Sequence, residues 1–105
     1  MLNQLVLVGR IAKEIEDIKL ENGKSASIMT LSVPRIYKNI KGEYDIDYID
    51  CILYDGIADN CKEYCKNGDL VGVKGRLQSK TNIEENSNTL VVAEKISFLS
   101  SKSSK

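Results

Sequence analysis

A chain of 105 residues is long enough for one packed core and too short for two. Its 42% hydrophobic and 29% charged residues are ordinary globular usage, which excludes general disorder and a collagen-like chain. Lys plus Arg (15) balance Asp plus Glu (15), so net charge offers no argument for nucleic acid, and only the distribution of charge over a folded surface can supply one. No apolar run approaches the length of about 20 residues that spans a bilayer. The N-terminus MLNQLVLVGR lacks the basic start and small-residue cleavage site of a secretory signal. Three cysteines, an odd number, do not make a disulfide framework. A reducing, cytoplasmic setting is expected.

Leu5 to Val8 is continuously apolar and reads as a buried strand, bent at Gly9 before Arg10 and Ile11. Glu14 to Leu20 scatters Ile15, Ile18 and Leu20 among acids, a weak continuation of that strand. Asn22-Gly23 is the clearest hairpin signal, since both residues tolerate positive φ, and a second strand follows from Ser25 to Val33. Pro34 has no N–H to donate and marks an edge or the strand's end, with Lys38 to Glu43 as a polar loop. In Tyr44 to Tyr54 the alternation puts Tyr44, Ile46, Tyr48, Ile52 and Tyr54 on one face and Ile49, Cys51 and Leu53 on the other, assigned here to the core. Both faces carry large side chains, so both must be covered over part of the strand.

From Ile57 to Lys66 the spacing of Ile57, Ala58, Cys61, Tyr64 and Cys65 is that of a short helix, with Asp55 as N-cap and Asn67-Gly68 as its stop. Leu70 to Gln78 returns to strand, Ser79 to Asn88 is a polar hairpin tip, and Thr89 to Leu99 is the last strand. Five short strands around one core, with one short helix between the third and fourth, is the layout of an all-β, five-stranded OB-fold barrel. It occupies residues 1–99, and residues 100–105 form a polar tail.

Four stretches carry a resemblance: LNQLVLVGRIAKE, ENGKSASIMTLSV, YIDCILYDGIADNCKEYCKNGDLVGVKGRLQ and VVAEKISFL. In this order and spacing they resemble the bacterial single-stranded DNA-binding proteins, the homotetrameric OB-fold SSB family. The resemblance implies a non-catalytic protein that coats exposed single strands in replication, recombination and repair, without cofactor and without sequence preference. It also implies assembly into a homo-oligomer, tetramer favoured over dimer, through first strands and sheet faces. Family members stack bases on aromatics at the ends of the second and third strands, and the matching positions here hold Tyr37, Tyr48 and Tyr54.

The chemistry agrees, because every base has a π-face and stacking is worth about 1–3 kcal/mol per base whatever its identity. Tyrosine is a smaller platform than the tryptophan often found there. The plain alternative is that these rings pack on strand neighbours, but Tyr48 and Tyr54 lie opposite the face assigned to the core. Phosphates require cations near those rings: Arg35 and Lys38 flank Tyr37, Lys74, Arg76 and Lys80 share one face of the fourth strand, and Arg10 follows the first-strand glycine. Asp45, Asp47, Asp50, Asp55 and Asp59 crowd the third strand and helix, which weakens binding by repulsion and makes its salt dependence shallow.

Two departures from the family stand out. The hairpin after Lys80 is short, with Asn82 and Ile83 near a position where relatives carry another stacking aromatic. The sequence also ends at SSKSSK, without the acidic tail through which members recruit partner proteins; either the tail has been truncated or this is a tail-less paralogue, and contacts with replication or recombination proteins are expected only by a route other than such a tail. Cys61 and Cys65 sit one helical turn apart, but with no histidine they read as small hydrophobes and no metal site is expected. Two alternatives share the fold: a dimeric primosome-type module for protein contacts, and an RNA-binding barrel that uses the same stacking physics.

Overall fold

A computed structural model of the chain describes residues 1–20, 22–79 and 89–101. The described elements run β1 (Leu5–Ile11), β2 (Glu16–Lys19), β3 (Ser25–Lys38), β4 (Tyr44–Tyr54), α1 (Asp55–Tyr64), β5 (Leu70–Ser79) and β6 (Thr89–Ser100). β1 pairs antiparallel with β5, β5 with β6, β6 runs parallel to β4, and β4 pairs with β3. β3 returns to β1 through Arg10↔Ser32 and Ile11↔Leu31, which closes a five-stranded OB-fold barrel. β2 is the second half of the first barrel strand, held on β3 from Glu16↔Ile28 to Lys19↔Ser25. The weak pattern between Glu14 and Leu20 is therefore strand over Glu16–Lys19, and α1 lies where expected, between the third and fourth barrel strands.

Closing so small a barrel forces backbones together at two glycines. A Cβ on Gly9, where β1 leaves β5 for β3, would lie 2.6 Å from the Ser32 carbonyl oxygen. One on Gly75 would lie 2.2 Å from the Val92 carbonyl oxygen, beside the register shift in β6. Any side chain there would overlap backbone that the ladder holds in place.

Alternation then sorts the strands. Ile11, Met29, Leu31, Cys51, Leu53, Val71, Val73, Val91 and Ala93 point inward, and α1 adds Ala58 and Cys61. Burying a side chain of Leu or Val size contributes about 1.5–3 kcal/mol, so this set is the main source of stability. The opposite face is not bare. Ala26, Ile52 and Val92 form a second, outer cluster with Ile18, Leu20, Ile28, Tyr54 and Leu90, which answers the need to cover both faces of β4.

Three local expectations change. α1 begins at Asp55 rather than being capped by it: Tyr54 is the cap residue, without a side-chain cap bond, and Asp55 itself takes φ +49°. The helix stops at Tyr64, and Gly68, at φ +94°, shapes the turn into β5 instead, with its N–H donating to the Ile11 carbonyl. Pro34 does not end β3. The strand runs four residues further, and the missing N–H appears as a register shift between Pro34 and Lys38. A hairpin does form at Asn22-Gly23, but of the pair only Gly23 takes a positive φ (+85°), and the turn closes one residue wider than a two-residue loop, with Leu20 N–H donating to the Lys24 carbonyl at 2.8 Å.

Candidate nucleic-acid interface

The outward face of β4 presents Tyr44, Ile46, Tyr48, Asp50, Ile52 and Tyr54. Tyr48 is 66% exposed. Register places it in one row with Ser32 on β3 and Arg10 on β1, so ring and guanidinium rise from the same outer surface. Tyr48 also edges a cleft of about 410 Å³ whose walls include Leu5, Leu7, Ile49 and Leu77. The Asn3 side chain straddles Leu77, donating to its carbonyl at 2.8 Å and accepting its N–H at 2.9 Å, and so replaces a strand partner at that rim.

Six residues along β4, about 20 Å at strand rise, Tyr54 is half-buried and packed into the outer cluster. Asp50 stands between the two rings and accepts a 2.6 Å hydrogen bond from the Thr30 hydroxyl opposite. The face that holds the tyrosines thus carries a carboxylate, in keeping with the crowding of acids on this strand.

Beyond the barrel, β3 and β4 continue as an arm whose tip is set by Asn39. Its side-chain oxygen accepts the N–H groups of Lys41 (2.8 Å) and Glu43 (3.0 Å), its amide donates to Asp45 (3.0 Å), and Gly42 takes φ +81°. Tyr37 is 65% exposed on this arm. Arg35 forks onto Asp47, Nη2 to Oδ1 at 2.9 Å and Nε to both oxygens at 3.2 Å, with Asp45 at 3.9 Å. That contact holds the Asp47 carboxyl below its ordinary range and raises the Arg35 guanidinium above its own. Lys38 lies over the Tyr44 ring, 5.8 Å from its centre. Parity alone puts Tyr44 on the face of Tyr48 and Tyr54 without marking it as part of the site. Its place on the arm with a cation over the ring adds it to the candidate surface.

The other cations are distributed around the barrel. Arg10 donates through Nη1 to the Gly68 carbonyl at 3.0 Å. Arg76 stands across from Ile52 and Val92, on the far side of the outer cluster from Tyr54, and meets Glu94 at 3.3 Å and Gln78 at 3.1 Å. Lys74 shares the outward face of β5 with Arg76 but sits between Val6 and Lys95, nearer β1 than β4. Lys80 and the hairpin tip with Asn82 and Ile83 lie outside the described residues. The structure therefore gathers Tyr48 with Arg10, gathers Tyr37, Arg35 and Lys38 on the arm, and sets Tyr54 and Arg76 on either side of the outer cluster. Cys51 and Cys61 are buried, and burial pushes both thiols up to about 12.

Comparison with known proteins gives one consistent result. The sequence matches the family described as "Single-strand binding protein family" over residues 2–99. Single-stranded DNA-binding protein 1 of Staphylococcus aureus (strain COL) is 39% identical over 106 residues, covering 97% of this chain and 64% of that protein, so the chain spans less than two-thirds of that relative's length. Single-stranded DNA-binding protein B of Bacillus subtilis (strain 168) is 39% identical over 106 residues, covering 97% of this chain and 94% of that protein. Among solved structures, "Plasmodium falciparum SSB complex with ssDNA" matches with a TM-score of 0.74 at 24% identity, over 94% of this chain and 96% of that one. The small single-stranded DNA-binding protein from Streptomyces coelicolor matches with a TM-score of 0.66 at 24% identity, over 93% and 94%. These two likenesses establish the shared barrel fold.

Proposed function

The chain belongs to the single-strand binding protein family, and on that premise we propose that it binds single-stranded DNA without reading its sequence and protects exposed strands in replication, recombination and repair. The observation that carries this reading is Tyr48, an open ring on the outward face of β4 in register with Arg10. A base laid on that ring brings its phosphate within reach of the cation. Tyr37 and Tyr44 on the arm and Tyr54 at the far end of β4 are the further shelves. Arg35, Lys38, Lys74, Arg76 and Lys80 serve as phosphate contacts along the way. No step of this function needs a catalytic group or a cofactor.

The same reading makes the protein a cytoplasmic homo-oligomer, a tetramer before a dimer. Val6 is 71% exposed and Val8 49% exposed on the outward side of β1, an apolar stripe suited to a second copy. One rival gains from a specific observation. The ion pairs that occupy Arg35 and Arg76 fit a protein-contact module better than a DNA coat.

Titration of oligo-dT into the protein at two salt concentrations, followed by tyrosine fluorescence, separates the two. Quenching with micromolar or tighter affinity that weakens with salt supports DNA binding. Undetectable binding at low salt refutes it in favour of the module, and preferential displacement of oligo-dT by oligo-rU points to RNA.

A further inference from the structure

The arm that bears Tyr37 presents its arginine already occupied. Arg35 is one of three arginines in the chain, and its guanidinium edge is matched by Asp47 in a two-pronged contact at 2.9 and 3.2 Å. A carboxylate and a phosphate offer that edge the same planar pair of acceptor oxygens. Asp45 adds a second acid at 3.9 Å and is itself held toward the arm by the Asn39 amide.

We propose that Asp47 acts as an internal surrogate for a DNA phosphate, so that a strand reaching the arm must displace it from Arg35, and that this competition sets the affinity and salt dependence of the arm. The inference rests on the reading of the chain as a single-strand binder. Both side chains are open to water, 43% exposed for Arg35 and 45% for Asp47. An exposed pair of this kind is worth a factor of about five at most, weak enough for a polyanion to displace and strong enough to register in affinity. Displacement swaps one anion for another on the same guanidinium, and the released carboxylate then faces the strand. The arm therefore gains little counterion release from Arg35. Arg76 is held in a similar way by Glu94 on β6.

Asp47→Asn keeps the shape and removes the competing charge. Binding of labelled oligo-dT by anisotropy across a salt series should tighten by about two- to five-fold at low salt. The log-log salt slope should steepen by about 0.7, the increment for one extra cation on a single strand. Glu43→Gln removes the same charge from the tip of the arm, outside the Arg35 fork, and should do less. In an Arg35→Gln background, Asp47→Asn should lose its advantage over Glu43→Gln. The Arg35 Nε proton should exchange with water up to about five-fold more slowly in the free wild type than in Asp47→Asn. Unchanged or weakened binding by Asp47→Asn would overturn the proposal, and so would a gain no larger than that of Glu43→Gln or one that survives loss of Arg35. Those failures leave wild-type binding intact. Absence of wild-type binding at low salt overturns the functional reading and this inference together.

Discussion

Replacing Tyr48 by alanine should weaken binding of single-stranded DNA far more than it weakens the fold. The ring is 66% exposed, so of the roughly 150–250 Å² that an enclosed aromatic buries, only about 50–85 Å² is covered here. At about 25 cal/mol per Å² that area is worth about 1–2 kcal/mol, an upper bound because the unfolded chain already covers part of it. The loss lowers the melting temperature by up to about 10 °C, which leaves the chain folded at room temperature. A stacked base loses about 1–3 kcal/mol, or about 5- to 150-fold in affinity. Tyr48→Phe keeps the π-face and should bind within about two-fold of the wild type. Anisotropy of labelled oligo-dT measures the affinities without relying on tyrosine signal, and circular dichroism confirms the fold. A folded Tyr48→Ala protein that binds like the wild type refutes the reasoning, as does a Tyr48→Phe protein that loses as much as Tyr48→Ala.

Other expectations follow from the same geometry. Gly75→Ala, whose Cβ meets the Val92 carbonyl oxygen at 2.2 Å, should destabilise the barrel by about 1–3 kcal/mol or more, read as a lower urea midpoint; an unchanged midpoint contradicts the close approach. Lys62, then Ser27, holds the Asp17 carboxyl below its ordinary 3.8, and Asp17 in turn raises the Lys62 ammonium above its ordinary 10.5. The contribution of this pair is therefore complete between those two values, lost as pH falls through the lowered carboxyl value, and lost as pH rises through the raised ammonium value. Urea midpoints of wild type and Asp17→Asn should converge in strong acid, and a constant gap across the acid range would exclude the pair as its cause. Cys51 and Cys61 are buried with thiols pushed from 9.0 to about 12, so in the native protein a disulfide reagent should titrate half-exposed Cys65 alone. Rapid reaction of all three thiols before unfolding would contradict their burial.

The parity of β4 was fully legible, because a period of two leaves only one way to put Ile49, Cys51 and Leu53 inside and Tyr48 outside. The bend at Gly9 was legible for a related reason, since only glycine admits such close approach of backbone. The half-burial of Tyr54 was not, because the cluster it packs against draws Ala26 from β3 and Val92 from β6 alongside Ile52, strands that only the barrel brings together. Nor was the grip of Asp47 on Arg35. Twelve residues separate them, and they meet only because β3 and β4 pair in a register that Pro34 perturbs immediately afterwards. The helix ends misled because Asp and Gly have two uses each: Asp55 took a helical position at positive φ, and Gly68 served the turn rather than the cap.

The central claim is that bases lie on the outward tyrosines of β4 and the arm. Photocrosslinking the protein to oligo-dT carrying 5-iodouracil, with the attachment points mapped by mass spectrometry, tests it most directly. Crosslinks should fall on Tyr48 foremost, with Tyr37, Tyr44 or Tyr54 beside it. Crosslinks confined to α1, or to the Val6 and Val8 stripe of β1, would contradict the account.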